Sequence, residues 1–178
     1  MCEEVLYSDV AGLEEIGRLR YDVWESEGDI ATQLFTDRTW LDAMDKEDTA
    51  RHWLIRSDGQ VVASARLTLH HEQDDYRDVA LWRSKGIPIT RYPVCDLGRL
   101  VVRADHRRKG YAKALIDCRI QAARDWGANA ILCTASPLTV PVLKSRGFVE
   151  IGHTAVFEDR PNTVFHGLHL SLSTGNED

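Results

Sequence analysis

One stretch constrains this chain more than any other. It runs Leu97-Gly98-Arg99-Leu100-Val101-Val102, then Arg103-Ala104-Asp105-His106, then Arg107-Arg108-Lys109-Gly110-Tyr111-Ala112. Leu97, Leu100, Val101 and Val102 supply a β-rich apolar run. From Ala112 to Trp126 apolar residues return at helical spacing, with Ala112, Leu115, Ile116, Arg119, Ile120 and Ala123 near one face. The order is therefore strand, basic turn, helix. A helix that starts in this turn directs unpaired backbone N–H groups outward, and its dipole favours an anion. Gly110 has no Cβ, so the backbone can turn tightly and approach a bulky phosphate. Ala112 keeps the first turn slim, and Arg107, Arg108 and Lys109 add positive charge. A pyrophosphate with a further phosphate nearby fits such a place. A solvated surface loop is the plainer alternative, because short glycine motifs match by chance. The stretch is neither the Gly-x-x-x-x-Gly-Lys-Ser/Thr loop of nucleotide hydrolases nor the three-glycine dinucleotide fingerprint.

Arg107-x-x-Gly110-x-Ala112 after Leu97-x-Arg99-Leu100-x-Val102 resembles the acyl-CoA pyrophosphate loop of the GNAT superfamily of N-acyltransferases. The downstream order agrees: a helix, the strand Ala130-Ile131-Leu132-Cys133-Thr134, a helix ending Leu143-Lys144-Ser145-Arg146-Gly147-Phe148, and a final strand pair. The resemblance covers about residues 52–172 and is strongest over 94–150. It implies an α/β fold with a mixed, mostly antiparallel central sheet, helices on both faces, and a splay at the central strands. It implies one N-acyltransferase domain over 1–178 that moves an acetyl group from acetyl-CoA to a primary amine of a small molecule. The amine attacks directly in a ternary complex.

By the same resemblance, Leu100, Val101, Val102, Arg107, Arg108, Lys109, Gly110, Tyr111 and Ala112 bind the cofactor. One N–H near Leu100 to Val102 polarises the thioester carbonyl. Asp96 stands where many relatives place a catalytic Glu, so it is the candidate base; a strand-end salt bridge to Arg99 is its alternative role. Ser136 stands where relatives often have an Asn near the cofactor arm. Leu143 stands where the family's general-acid Tyr is usual, which leaves the acid unassigned. His153, His166, His169 and Cys133 lie on the last strands, in reach of the thiol but better read as structural. A narrower resemblance joins Arg20-Tyr21-x-Val23-Trp24-x-x-Glu27 and Asp96-Leu97-x-Arg99-Leu100 to N-acyl amino acid and acyl-homoserine-lactone synthases. It implies a long-chain donor. A non-catalytic acyl-CoA sensor is the third reading, suggested by the missing Tyr.

Composition narrows the partners. The chain has 178 residues, and 22 basic against 28 acidic side chains give a net charge of −6. An acidic chain with one basic turn suits a small anionic ligand and does not suit nucleic acid. A single domain of this length buries about 70% of its unfolded surface. Cys2, Cys95, Cys118 and Cys133 show no Cys-x-x-Cys spacing, so no metal is expected, and free thiols in a reducing cytoplasm are. No apolar run reaches the ~20 residues of a membrane span, and no signal-peptide pattern opens the chain. A cytoplasmic location is expected, with no membrane partner. Homodimers are common in the family, and no stretch here proves one.

The rest of the chain is read from local pattern. Glu4 to Tyr7 is a short strand. Ser8 or Asp9 caps a helix over Val10–Glu27 that Gly28 ends. Arg20, Tyr21, Trp24 and Glu25 on it are rim and core residues or acceptor contacts. Thr36 or Asp37 caps a second helix holding Trp40, Leu41 and Met44. His52–Arg56 and Val61–Leu69 form a hairpin about Asp58-Gly59, with Val61, Ala63, Ala65, Leu67 and Leu69 on one face. Residues 70–93 read as an insertion with a helix over Asp75–Lys85, a candidate for acceptor specificity. Ser136 and Pro137 open a late helix. Phe148–Phe157 and Asn162–Leu172 read as strands, and Ser173–Asp178 as a frayed tail.

Overall fold

The computed structural model describes residues 1–6, 9–72, 91–153 and 157–172. Seven strands form one sheet: β1 (Glu3–Leu6), β2 (Ala50–Ser57), β3 (Gln60–His70), β4 (Val94–Val102), β5 (Ala130–Ala135), β6 (Val149–His153) and β7 (His166–Ser171). Their order is β1-β2-β3-β4-β5-β7-β6. Only β4 and β5 run parallel; the other neighbours are antiparallel. Among the described residues the α-helices are α1 (Val10–Ser26), α2 (Tyr111–Asp125) and the short α3 (Val140–Lys144). Among the described residues, no helix is long and apolar enough to cross a membrane.

Local chemistry explains the boundaries. The Asp9 carboxylate accepts from Gly12 N at 3.0 Å and caps α1. Gly28, at φ 69°, ends it. The β2–β3 turn needs left-handed backbone at both central positions, and Asp58 (φ 51°) and Gly59 (φ 80°) supply it.

The sheet is covered on both faces. Leu115, Ile116, Ile120 and Ala123 of α2 pack on Trp53, Ala65, Leu67, Cys95, Leu97 and Ile131. On the other face, Leu19, Val23 and Trp24 of α1 join Trp40, Val101 and Phe165, while Ile16 meets Val5 and Leu54. Each fully buried Leu or Ile contributes about 1.5–3 kcal/mol over an exposed one.

Two irregularities at β4 shape everything downstream. First, between the pairs Arg66↔Gly98 and Ser64↔Val101, β4 carries one residue more than β3. This is a β-bulge, and it flips the side-chain alternation. Leu97 packs on the α2 face, and beyond the bulge Leu100 and Val102 return to that face while Val101 points to α1. Arg99 sits in the bulge at φ 55°. Second, β4 and β5 pair only at Val94↔Ala130, Cys95↔Ile131 and Asp96↔Leu132. Beyond Asp96 the strands part, which is the expected splay.

Several sequence expectations need correction. No α-helix holds Trp40, Leu41 and Met44; the segment forms short 3-10 turns at Thr32–Leu34 and Ala43–Lys46. Asp37 accepts from Thr39 N within a turn, and Asp42 and Asp45 form a reciprocal capping box. Ser64, Arg66, Thr68 and His70, on the opposite side of β3 from its apolar face, are buried as well. The late helix starts at Val140, with Pro141 in its first turn, rather than at Ser136. The last strand is shorter than expected, His166–Ser171; the preceding one is described over Val149–His153, and 154–156 lie outside the described residues. The expected helix over 75–85 and the tail over 173–178 lie outside the described residues, as does most of the 70–93 segment.

Candidate active site

The parting of β4 and β5 opens a small pocket of about 40 Å³ through the sheet. Gly98 to Val101 form one wall and Cys133 to Ser136 the other, with Trp24, Trp40 and Phe165 on the α1 side. Trp24, Leu100, Val101, Ser136 and Thr139 also line an adjoining cavity of about 400 Å³. That cavity reaches the basic turn: Arg107, Arg108, Gly110, Tyr111 and Ala112 line it, together with Val102. Eight of the nine residues expected to hold the cofactor thus meet in one place, and Lys109 does not line the cavity. Gly110 is the N-cap of α2 at φ 84°, without a side-chain cap bond. The first intrahelical bond runs from Ala114 N to Gly110 O, so the preceding N–H groups of this turn remain open to an anion. Arg107 donates to Val102 O at 3.2 Å and forms an ion pair with Glu27, which also lines the cavity.

Asp96 stands at the vertex of the split, paired across β4 with Thr68 and Leu132. A Cβ on Gly98 would lie 3.3 Å from Asp96 Oδ2; glycine at this position leaves the carboxylate room along the strand. The alternative ion pair from Asp96 to Arg99 does not form. Arg99 instead reaches Asp42 (2.5 Å) and Asp159 (3.6 Å) and lies 4.6 Å over the Trp40 ring. Ser136 follows β5 with its hydroxyl 3.4 Å from that of Thr139.

Beside the pocket lies a buried ionic network that the sequence reading missed. Asp45 Oδ1 accepts from Arg20 (2.9 Å) and Arg66 (2.8 Å), and Asp42 Oδ1 accepts from Arg66 (2.7 Å). Burial opposes ionisation of Asp45, but Arg20 and Arg66 outweigh it and hold the carboxyl far below its usual range. His52 Nδ1 faces Arg20 Nη2 at 3.3 Å and so accepts, which puts the ring proton on Nε2, 3.1 Å from Asp45 O. Burial and Arg20 pull His52 down to about 4, so the ring is neutral at pH 7. The available signal was polar residues at alternating positions of a strand otherwise rich in Val, Ala and Leu, with Arg66 among them, together with Asp42-x-x-Asp45. Arg160 also lines the small pocket and stacks on Phe165 (4.2 Å), Trp40 (4.9 Å), Phe157 (5.1 Å) and Trp24 (5.4 Å). Burial and the nearby Arg99 pull Arg160 down to about 10.

Other candidates fall away on geometry. Leu143 is fully buried in the apolar core. Burial pushes the Cys133 thiol up to about 12, so it is no thiolate at pH 7. His166 is bound to Glu150 at 2.6 Å. Neither His166 nor His169 lines either space.

The acetyltransferase (GNAT) family model matches residues 13–148. No curated protein matches in sequence. Among solved structures, FeeM, an N-acyl amino acid synthase from uncultured soil microbes, superposes with a TM-score of 0.73 at 10% identity, over 96% of this chain and 94% of that one. BjaI, a CoA-dependent acyl-homoserine lactone synthase, gives 0.73 at 18% identity, over 98% and 84%. An acyl-CoA N-acyltransferase from Pseudomonas aeruginosa gives 0.67 at 20% identity, over 96% and 99%. At these identities the superpositions establish the fold alone. The family match spans most of the chain and includes the basic turn, the bulge and the split; the chain belongs to the GNAT family and is an acyl-CoA-dependent N-acyltransferase.

Proposed function

We propose that this enzyme transfers an acetyl group from acetyl-CoA to the primary amine of a small molecule by direct attack. The observation that carries the reading is the small pocket at the split opening onto the larger cavity that ends at the basic turn. The pyrophosphate lies on the open N–H groups before Ala114, with Arg107 and Arg108 beside it. The pantetheine arm follows the unpaired edge of β4 past Ser136. The thioester carbonyl sits at the bulge, where a backbone N–H of Leu100 to Val102 stabilises the oxyanion. Asp96 lines neither space, standing one residue before Leu97 of the pocket wall; it takes the amine proton through a water. The thiolate of coenzyme A then leaves without a tyrosine, its thiol being acidic enough to part with little help.

The pocket's 40 Å³ is a few times the ~10–15 Å³ that a single water needs. That room suits an acetyl group, and a long acyl chain would have to reach beyond it. Among the described residues, Arg20, Arg99 and Arg160 line the pocket and no carboxylate does, their partners Asp45, Asp42 and Asp159 lying behind the wall. An amine that also carries a carboxylate, such as an amino acid, suits that wall; a polyamine meets like charge. The likeness to N-acyl amino acid and acyl-homoserine lactone synthases favours a second reading, long-chain transfer through a widened split.

A thermal-shift series with coenzyme A, acetyl-CoA and longer acyl-CoAs tests the donor. At a hundred times its dissociation constant a ligand stabilises by about 2.7 kcal/mol, or about 5–10 °C in a chain this size. A larger shift with long chains moves the assignment to the second reading, and no shift with any of them removes it. Release of coenzyme A in the presence of an amine panel tests the chemistry. D96N is expected to lose at least about tenfold in kcat with unchanged acetyl-CoA affinity; unchanged kcat removes Asp96 as base.

A further inference from the structure

Arg119 is a buried cation that the reaction described above leaves without a task. It sits in the middle of α2, on the face that packs against the sheet, and is fully buried. Among the described residues it forms no salt bridge, although burying a charge without a partner is costly. Its hydrogen bonds show where it is directed. Nε donates to Leu115 O at 2.8 Å within its own helix. Nη1 donates both to Arg66 O on β3, at 2.9 Å, and to Gly98 O on β4, at 3.0 Å. Arg66 and Gly98 face each other across the ladder, and the extra residue of β4 begins immediately after them. One nitrogen therefore ties the two strands together at the edge of the bulge. Nη2 finds no partner, so the side chain is not placed to satisfy itself.

The next residue explains the use. Arg99 holds φ 55°, a conformation that residues with a Cβ disfavour. The peptide unit from Gly98 to Arg99 is planar. Fixing Gly98 O therefore fixes the Arg99 N–H and the plane from which φ of Arg99 is measured. The following peptide is then turned relative to a regular strand, along the stretch Gly98 to Val101 that lines the pocket. Arg99 is held from the opposite face by Asp42 and the Trp40 ring. The two arginines pin the bulge from opposite faces of the sheet.

We propose that Arg119 is a positioning residue for acyl transfer: through Gly98 O it holds the β4 bulge in the shape that aims a backbone N–H at the thioester carbonyl. This rests on the reading that a β4 backbone N–H polarises that carbonyl. Arg119 touches neither substrate nor cofactor, since it lines neither space. Its effect on the reaction passes through the backbone alone.

The test reads the carbonyl itself. Acetyl-CoA labelled with carbon-13 at the thioester carbonyl is bound to the enzyme, and its stretching band is followed by difference infrared spectroscopy. In the wild type the bound band is lower in frequency than the free one. In R119M the band returns toward the free position, kcat falls at least tenfold, and the acetyl-CoA dissociation constant stays within twofold. R119K, whose ammonium can donate to both carbonyls, restores the band and most of kcat. If R119M does not fold, R119Q takes its place with the same expected losses, its amide being too short to reach both strands. A variant that melts lower but keeps the wild-type band and kcat overturns the proposal, as does failure of both neutral variants to fold, since the residue is then structural. A wild-type band at the free position, with turnover intact, overturns backbone polarisation and this proposal with it. Failure of the wild type to bind acetyl-CoA overturns the donor assignment instead.

Discussion

Replacing Asp45 by Asn tests whether the buried ionic network supports the wall of the small pocket. Asp45 and Arg20 both have fully buried side chains and meet at 2.9 Å, and Arg66 reaches the same oxygen at 2.8 Å. At an effective dielectric constant of about 20, each contact is worth about 6 kcal/mol before desolvation. Desolvation cancels much of this, and measured losses on removing one partner of a buried pair are about 3–5 kcal/mol. Asn keeps the shape of Asp and removes the charge, leaving Arg20 without a carboxylate and Arg66 with Asp42 alone. A domain of this kind is stable by about 5–15 kcal/mol, so the loss is a large share of the total. At about 2–4 °C per kcal/mol in a chain of this length, D45N is expected to melt about 6–20 °C lower. Urea unfolding gives the free energy, and a cycle with R20M gives the coupling. The pH dependence has a definite sign. The folded Asp45 carboxyl is held below its unfolded value of about 3.9. Its contribution is therefore full above that value and is lost as pH falls below it. D45N should be flatter with pH in that acid range. A loss under about 1 kcal/mol, or no coupling to Arg20, refutes this account of the network.

Other perturbations bear on separate parts of the structure. His52 is pulled down to about 4, so the folded state resists a proton that the unfolded chain accepts below about 6.5; stability should fall by up to about 3 kcal/mol as pH drops from 6.5 to 4. H52Q should flatten that part of the profile in urea titrations at successive pH values. At Gly110 a Cβ would meet nothing within 4 Å, but φ is 84°. G110V should therefore act through backbone strain of about 1–2 kcal/mol and weaken acetyl-CoA binding about tenfold by calorimetry, with G110A milder. C133A should keep kcat within about threefold, because a thiol pushed up to about 12 is not a nucleophile at pH 7; a hundredfold loss would restore a covalent route.

Features carried by neighbouring residues were legible in the sequence. The Asp58-Gly59 turn, the periodic stripes of α1 and α2, and the left-handed Gly110 before a helix each follow from a few adjacent side chains. The basic turn was readable as an anion site for the same reason: charge, glycine and helix start lie within six residues. Arg119 was readable only as a member of the stripe of α2. Nothing local says that its guanidinium ends on the carbonyls of Arg66 and Gly98, 53 and 21 residues away. Asp42 and Asp45 drew no reading from the sequence, which placed a helix there that does not form, and Arg66 fell on the side of β3 opposite its apolar face. Asp45 and Arg66 are buried, and Asp42 half-buried, because α1, the turn at Ala43–Lys46 and β3 bring opposite charges together, and a charge enters a core only where a partner is already placed. The bulge likewise depends on register between β3 and β4, which no strand specifies alone. Sequence determined the elements and the place where a phosphate can rest. Tertiary structure decided which backbone groups line the small pocket and which charges surround them, because pairing energies depend on distances that only folding sets.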